Sequence, residues 1–224
     1  MTRSLVLVGL LAVGLAVTAP AAAADDFDAG LEAFDAGDPA AAFAVWQPLA
    51  EAGDSRAQFN IGLIHDQGLT GPRDVERALA WLKRAAEQGD ARAAFSVAQI
   101  LDSGDGVARE MAAAVDWYAQ AGDAGDALAQ FRLGQIFADG DGVPQDEEAA
   151  ANWMRLAADQ DHAEAQFALA GMYANGRGVP RDLGEANLWN ERADVSQMSG
   201  VSSTACNLRS VDALSECRRV VPQR

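Results

Sequence analysis

The sequence predicts an all-α protein: an α-solenoid of stacked two-helix units, each 36 residues long, with helical caps at both ends. Three observations predict it. Aromatic residues and glycines recur every 36 residues, each copy has one glycine-rich turn between two amphipathic stretches, and incomplete copies flank the set. Internal periods of this length are typical of solenoids. The recurring positions include Phe59, Phe95, Phe131 and Phe167, then Trp81, Trp117, Trp153 and Trp189, then Gly68, Gly104, Gly140 and Gly176.

Residues 1–24 have the pattern of a secretory signal peptide. Arg3 precedes an apolar run from Leu5 to Val17, and small residues end at Ala24. This order is typical of a cleaved leader, with a predicted mature start at Asp25. Because no later apolar run approaches 18 residues, we expect no membrane insertion of the mature chain. The predicted location is periplasmic or secreted.

Residues 25–54 are predicted to form an N-terminal cap of helices. Asp38 and Pro39 are suited to a helix start, because Asp can cap the first N–H groups and Pro fits the first turn. Trp46 lies 35 residues before Trp81, one residue off the period. The segment therefore copies the second helix of a unit after a shortened turn.

Four full units are predicted at about residues 55–90, 91–126, 127–162 and 163–194. In the third, "ALAQFRLGQIFAD" places apolar residues at helical spacing. The second half opens at Asp146, whose carboxylate can accept bonds from the first N–H groups of a helix. Gly89 and Gly125 mark the ends of second helices, where a left-handed residue is favoured. Because two short helices cannot bury their apolar faces alone, the units must stack.

The acidic turn "ADGDGVPQDEEAA" (138–150) raises the possibility of a calcium loop. It recurs as "SGDGVARE" and "NGRGVPRD". It lacks the order of oxygen ligands that an EF-hand requires, since Gly142 and Val143 stand where ligands are needed, and Arg177 replaces an acid in a sister turn. We therefore predict a structural turn.

Residues 195–224 are predicted to form a C-terminal cap. They contain both cysteines of the chain, Cys206 and Cys217. In an exported protein this pair favours one disulfide that holds the cap. A redox pair is the alternative, although the C-x-x-C spacing that lowers a thiol pKa is missing.

The repeat motif resembles the Sel-one-like repeat, a branch of the tetratricopeptide superfamily. Each copy reads approximately A-x-F-x-hydrophobic-G/A, then G-x-G-V-P-x-D, then A-x-x-W-x-x-x-A-A, and the third copy matches most fully. The first copy departs from the pattern, because Thr70 and Gly71 stand where the others have Gly and Val. The resemblance implies a right-handed α-solenoid that binds proteins.

In this family, one polar stripe along the first helices lines the concave groove. The resemblance carries this role to sixteen positions. They are Arg56, Asn60, Leu63 and Gln67, then Arg92, Ser96, Gln99 and Ser103, then Leu128, Arg132, Gln135 and Asp139, then Glu164, Ala168, Gly171 and Asn175. The four repeated phenylalanines project towards the same side, where they either contact a ligand or wedge between helices as core.

Composition narrows the partner. The chain has 33 acidic and 17 basic residues, a net charge of −16, and loss of Arg3 with the leader makes this −17. Because proteins that bind DNA or RNA use clustered basic residues to neutralise the phosphate backbone, we expect no nucleic-acid partner. His65 is predicted to be a half-buried packing residue, and His162 lies at a turn without a second His or Cys to complete a metal site. We expect no cofactor and no bound metal.

The predicted function is an exported adaptor or scaffold, monomeric, that binds a protein or peptide in the cell envelope. Relatives in the family include envelope scaffolds, regulators of sensor kinases or exopolysaccharide production, and host-contact factors. A hydrolase directed at β-lactams or peptidoglycan is the alternative, although G-x-S-x-G and S-x-x-K motifs are missing. Hydrolysis of a chromogenic β-lactam would distinguish it. A purely structural role in an envelope assembly is a third possibility.

Overall fold

The computed structural model describes residues 22–198. This part of the chain forms ten α-helices and contains no strand. Each helix packs against the next one in sequence, which produces one continuous stack. The helices are α1 (Ala22–Asp35), α2 (Pro39–Glu51), α3 (Ser55–Gln67), α4 (Val75–Glu87), α5 (Ala91–Ser103), α6 (Met111–Asp123), α7 (Ala127–Asp139), α8 (Glu147–Asp159), α9 (Ala163–Asn175) and α10 (Leu183–Met198). We call α3, α5, α7 and α9 the first helices of repeats 1 to 4, and α4, α6, α8 and α10 the second helices.

Acidic N-caps begin most of the helices. Asp54, Asp90 and Asp126 accept backbone N–H groups at the start of the first helices of repeats 1 to 3. The predicted start at Asp146 is confirmed, because its carboxylate accepts the Ala149 N–H at 2.9 Å. Side-chain caps of this kind satisfy donors that the helix itself leaves unpaired. Asp38 caps α2 in the same way.

The glycine-rich turn joins the two helices of a repeat and also reaches back to the preceding repeat. Gly140 ends α7 in the left-handed region, with φ 72°. Gly142, with φ 74°, lies so close to Met111 of repeat 2 that an added Cβ would overlap its side chain. The first glycine thus reverses the chain, and the second permits close packing between repeats. Asp141 pairs with Arg109 across that interface.

The turn between repeats is short and also left-handed. Gly89 and Gly125 have φ values of 91° and 96°, as predicted for the ends of second helices. Asp161 takes this conformation in repeat 3, with φ 61°, and is the sole non-glycine residue with positive φ among residues 22–198. Acidic and amide side chains tolerate this region better than other residues do.

The core runs along the line of contact between first and second helices. Its side chains are mainly alanine, leucine and isoleucine, together with Phe59 and Phe95. Trp46 is buried in the N-terminal cap, where its Nε1 donates to the Phe27 carbonyl at 3.1 Å. The recurrence of Trp153 in the second helices predicts a buried, structural ring, but the ring is only half-buried. Its ring packs along the side of the core.

Buried glutamines connect neighbouring helices. Gln58, Gln130 and Gln166 donate to the carbonyls of Ala50, Gly122 and Ala158 at 2.8 to 3.0 Å. Repeat 2 has Ala94 at this position. There Gln120, from α6, reaches the equivalent carbonyl of Ala86 instead. Carbonyls near helix ends lack partners inside the helix, so these bonds stabilise the stack.

Candidate functional site

The stripe of sixteen predicted groove residues lies along the first helices. The structure brings most of them to two cavities on this side of the stack. Ten of the sixteen line one cavity or the other: Arg56, Asn60, Leu63, Gln67, Arg92, Ser96, Gln99, Ser103, Leu128 and Arg132. The remaining six lie outside both: Gln135, Asp139, Glu164, Ala168, Gly171 and Asn175.

The larger cavity, which we call the groove, spans repeats 1 to 3 and has a volume of about 800 Å³. This size is within the range of ligand sites in proteins. Its lining combines apolar side chains, such as Phe95 and Phe131, with exposed polar ones, such as Gln99 and Ser103. Leu63 and Ser96 are buried and line it between the helices. Ser96 donates its hydroxyl to the Arg92 carbonyl at 2.9 Å.

A charged network lies in the groove between repeats 2 and 3. The carboxylate of Asp102, 12% exposed, pairs with Arg132 through Nη2 at 2.8 Å and Nε at 2.9 Å. The Tyr118 hydroxyl donates to the same carboxylate at 3.3 Å. Burial and the nearby Asp102 charge raise the pKa of Tyr118, so the phenol stays protonated and remains a donor. The network therefore fixes the groove wall.

Arg132 and Gln135 are less exposed than their stripe position suggested. Both are half-buried, and Arg132 Nη1 donates to Gln135 Oε1 at 3.3 Å. A position on the polar stripe predicts exposed side chains, and for this pair that prediction is wrong. Arg132 forms part of the structural network around Asp102, and a substitution there would affect packing as well as any ligand.

A second ion-pair series connects the turns of successive repeats at the edge of the groove. Arg73 pairs with Asp105 at 2.7 Å, and Arg109 pairs with Asp141 at 2.6 Å. In the next interface Arg177 stands where an aspartate is expected and pairs with Glu147 at 2.9 Å. Because the pairs recur between repeats, they indicate a structural role for these residues.

The smaller cavity lies at the N-terminal end and has a volume of about 230 Å³. Aromatic and aliphatic side chains of α1 to α3 line it, among them Phe34, Trp46 and Leu63. Arg56 and Arg92 lie at its rim, where their guanidinium groups stack over Phe27 at 4.2 Å and Phe59 at 4.6 Å. The cavity can accept an apolar side chain beside these polar donors.

The repeated phenylalanines take different positions along the stack. Phe59 and Phe95 are buried, Phe131 is half-buried, and Phe167 is exposed. Each of the two interpretations left open by the sequence therefore applies to a different part of the stack. The first two phenylalanines are core, whereas Phe167 is open to contact.

Neither histidine is part of a metal site in residues 26–195. His65 is half-buried against the Phe43 ring, as predicted, with ring centroids 5.7 Å apart. His162 is buried, caps α9 and stacks on Phe131 with centroids 4.7 Å apart. Burial lowers the pKa of His162, which favours a neutral ring whose Nδ1 accepts the Ala165 N–H. Among the described residues, no group of three His, Cys, Asp or Glu side chains could hold a metal ion.

Sequence reasoning missed Asp66, Asp102 and Tyr118, which also line the groove. A signal was present, because Tyr118 breaks the repeat. Leu82 and Met154 occupy the same position in repeats 1 and 3. Positions where one copy has a side chain of different chemistry therefore help to locate candidate site residues.

Three predictions concern residues outside the part that the structure describes. They are the leader up to Ala21, the cap after Met198 and the Cys206–Cys217 disulfide. Between residues 22 and 198, no helix has the length and apolar character needed to cross a membrane.

Four two-helix repeats in a single stack, with a groove along their first helices, define a helical-repeat solenoid. The sequence profile of the Sel1 repeat matches residues 55–90, 91–126, 127–162 and 163–193. The chain belongs to the Sel1 repeat family.

A solved structure shows the same fold. A Sel1 repeat protein from Oxalobacter formigenes is 28% identical, with a TM-score of 0.71, over 78% of this chain and 73% of that one. The protein c5321 of uropathogenic Escherichia coli, described as a protective antigen, is 26% identical with a TM-score of 0.45. That match covers 90% of this chain and 57% of that one. Comparison with the curated proteins gave no match.

Membership of this family sets the general class of function. Sel1 repeat proteins mediate protein–protein interactions, and their fold is typically that of a non-enzymatic scaffold. Extended surfaces of stacked helices suit this role, because each repeat adds contact area without a new fold.

Proposed function

We propose that this protein is an exported adaptor that binds an extended segment of a partner protein in its groove. The observation that carries the proposal is the groove itself. It has the volume of a ligand site, and it combines apolar rings with carboxylates at Asp66, Asp102 and Asp105. The apolar rings would supply most of the binding energy, and the polar groups would fix the register.

Three carboxylates and two arginines line the groove, so its net negative charge favours a partner segment with basic residues. Asp105 is 70% exposed on its side chain although Arg73 pairs with it. Residues 25–198, which include the groove, contain 31 acidic and 12 basic residues. Opposite charge on a partner would speed association and select against acidic segments. The proposed ligand is therefore a peptide with one or more apolar anchors flanked by Lys or Arg.

The proposal can be tested with purified protein starting at Asp25 and a displayed peptide library. We expect selected peptides to combine an aromatic or aliphatic residue with basic neighbours. Gln99→Trp would fill the groove from an exposed position and should weaken binding of those peptides at least ten-fold. Asn152→Trp, at an exposed position of α8 that lines neither cavity, is the matched control. Equal binding by wild type and Gln99→Trp would rule out the groove.

Export is the second part of the proposal and rests on the leader pattern alone. The mature N-terminus should be Asp25, as read by N-terminal sequencing of protein from the producing cell. Recovery of a chain that retains Met1 would contradict export, but it would leave peptide binding by the groove intact.

A further inference from the structure

The exposed end of repeat 4 has the same construction as the covered faces inside the stack. Met111, the first residue of α6, is 8% exposed because Gly142 of the following repeat packs on it. Val75 is covered in the same way by Gly106. Leu183 holds the equivalent position in α10 and is 56% exposed. An apolar residue is thus retained at a position where the described chain supplies no cover.

The repeated phenylalanines lead to the same conclusion. Phe59 is 1% exposed, and Arg92 of repeat 2 stacks over its ring. Phe131 is covered by His162 at the start of α9. Phe167 is 67% exposed. Both faces that a fifth repeat would cover are therefore apolar and open at this end, and open patches of this kind indicate a contact surface.

Buried polar atoms at this end also lack partners within the described chain. Gln58 and Gln130 each receive a bond on Oε1, from Gln88 and Gln160, at 2.7 and 2.8 Å. Gln166 is completely buried, and its Oε1 has no partner among the described residues. The same is true of Trp189 Nε1. In repeats 1 and 3 the donor follows the second helix of the same repeat, and the equivalent position in repeat 4 is residue 196, near the end of α10. Buried polar groups in folded proteins are nearly always paired, so donors and acceptors are expected from the end of α10 or from the residues after it.

We propose that residues 199–224 of this chain dock on the end face formed by Phe167 and Leu183, in place of a fifth repeat. They follow α10 directly and are more numerous than the 13 residues of each first helix. One period after Ala165, Leu169 and Met172 they carry Val201, Ala205 and Leu208. The segment therefore offers apolar residues at the spacing that faces the core in α9.

Charge selects this segment over a second copy of the protein. Residues 199–224 contain four arginines and two acidic residues, whereas residues 25–198 contain 31 acidic and 12 basic residues. The segment thus carries charge opposite to the body on which it would dock. Two copies joined at this face would instead bring two strongly acidic bodies together, which charge repulsion disfavours.

Limited trypsin digestion of the full mature chain tests the docking, because cleavage after Arg209, Arg218 and Arg219 can be followed by mass spectrometry. Leu183→Glu introduces the residue that repeat 3 has at this position, Glu147, and should release the segment. We expect cleavage at least ten-fold faster than in wild type, since protection follows the fraction of time that a segment is undocked. Leu188→Asn is the control: Leu188 is also exposed on α10, at the position where α8 has Asn152, and its cleavage rate should match wild type.

Hydrogen exchange gives an independent measurement that needs no substitution in the body. A chain that ends at Met198 should exchange faster in peptides from α9 and α10 than the full mature chain does. Equal exchange in the two chains, or equal cleavage of wild type and Leu183→Glu, would overturn the proposal. A wild-type dimer that Leu183→Glu converts to monomer, measured by light scattering, would overturn it in favour of a second copy.

Discussion

The two ends of the stack carry the same residue types but differ in what surrounds them. At the N-terminal end the rings of Phe27 and Phe34 lie 5.8 and 5.7 Å from the Trp46 ring, and the indole N–H is bonded. At the other end Trp189 is equally buried, but its N–H has no partner within residues 26–195. In a repeat protein, the contribution of a residue to stability therefore depends more on the neighbouring unit than on the residue type.

The largest effect on the free energy of unfolding is expected at the N-terminal end of the stack. Trp46→Ala should lower the free energy of unfolding by about 3–5 kcal/mol, because it removes a buried ring and leaves a cavity. Trp153→Ala should cost less than half as much, since that ring is half-buried. Urea denaturation followed by circular dichroism measures both. Equal losses would show that the repeat position, not its surroundings, sets the energy.

Two glycines with different surroundings provide a second contrast. Gly142→Ala should lower the free energy of unfolding by about 1–3 kcal/mol, since φ is positive and the new methyl group would overlap Met111. Gly171 lies inside α9, and a Cβ added there would meet no described atom of a neighbouring element within 4 Å. Gly171→Ala should therefore raise the free energy of unfolding by about 0.5–1 kcal/mol. Thermal melts of the two variants should shift in opposite directions, and shifts of the same sign would contradict the packing described for the turn.

Two arginines that each pair with Asp102 also differ in their surroundings. Arg132→Ala should cost about 1–2 kcal/mol, because it removes two short contacts to a carboxylate that is largely buried. Arg109→Ala should cost less than about 1 kcal/mol, since Arg109 and its main partner Asp141 are both exposed. Denaturant midpoints give the order of the two. The reverse order would mean that the groove network does not stabilise the interface between repeats 2 and 3.

The smallest effect concerns two N-caps at the same repeat position. Burial raises the pKa of Asp54, but bonds from Arg56 and the backbone outweigh it and bring it below the ordinary value of 3.8. Asp126 is followed by Leu128 instead of an arginine, and burial raises its pKa despite the Ala129 N–H. As pH falls, the stability that Asp54 contributes is lost through its folded pKa. In contrast, Asp126 penalises folding only when charged, so its protonation on acidification favours folding.

Nuclear magnetic resonance titration of the side-chain carboxyl carbons separates the two groups. Asp54 should titrate below 3.8 and Asp126 above it. Leu128→Arg would place an arginine two residues after Asp126, as Arg56 follows Asp54, and should lower the Asp126 midpoint. An unchanged midpoint in that variant would show that burial alone determines the difference.

The periodic features of this protein could be predicted from its sequence. The helix starts, the left-handed glycines and the stacked repeats follow from local rules that recur in every copy, such as capping at Asp146 and chain reversal at Gly140. The direction of the stripe was also accessible, because helical spacing places Asn60 and Leu63 on one side of α3.

The remaining features depend on contacts between repeats. Asp102 and Arg132 are 30 residues apart, and nothing local to either residue indicates the ion pair. Phe59 and Phe167 occupy the same position of the repeat. Their exposures differ because, of the two, only Phe59 has a following repeat in the described chain. Exposure within a repeat protein therefore has to be inferred from the neighbouring copy.

Site-specific photo-crosslinking in the producing cell tests the central claim, that the groove is the binding surface, most directly. A photoreactive residue at Gln99 lies in the groove, and one at Asn152 lies outside both cavities at a similarly exposed position. The account predicts a discrete crosslinked partner at Gln99, absent at Asn152, whose linked peptide combines an apolar residue with basic neighbours. A partner captured at Asn152 but not at Gln99 would contradict it and place the interaction on another face.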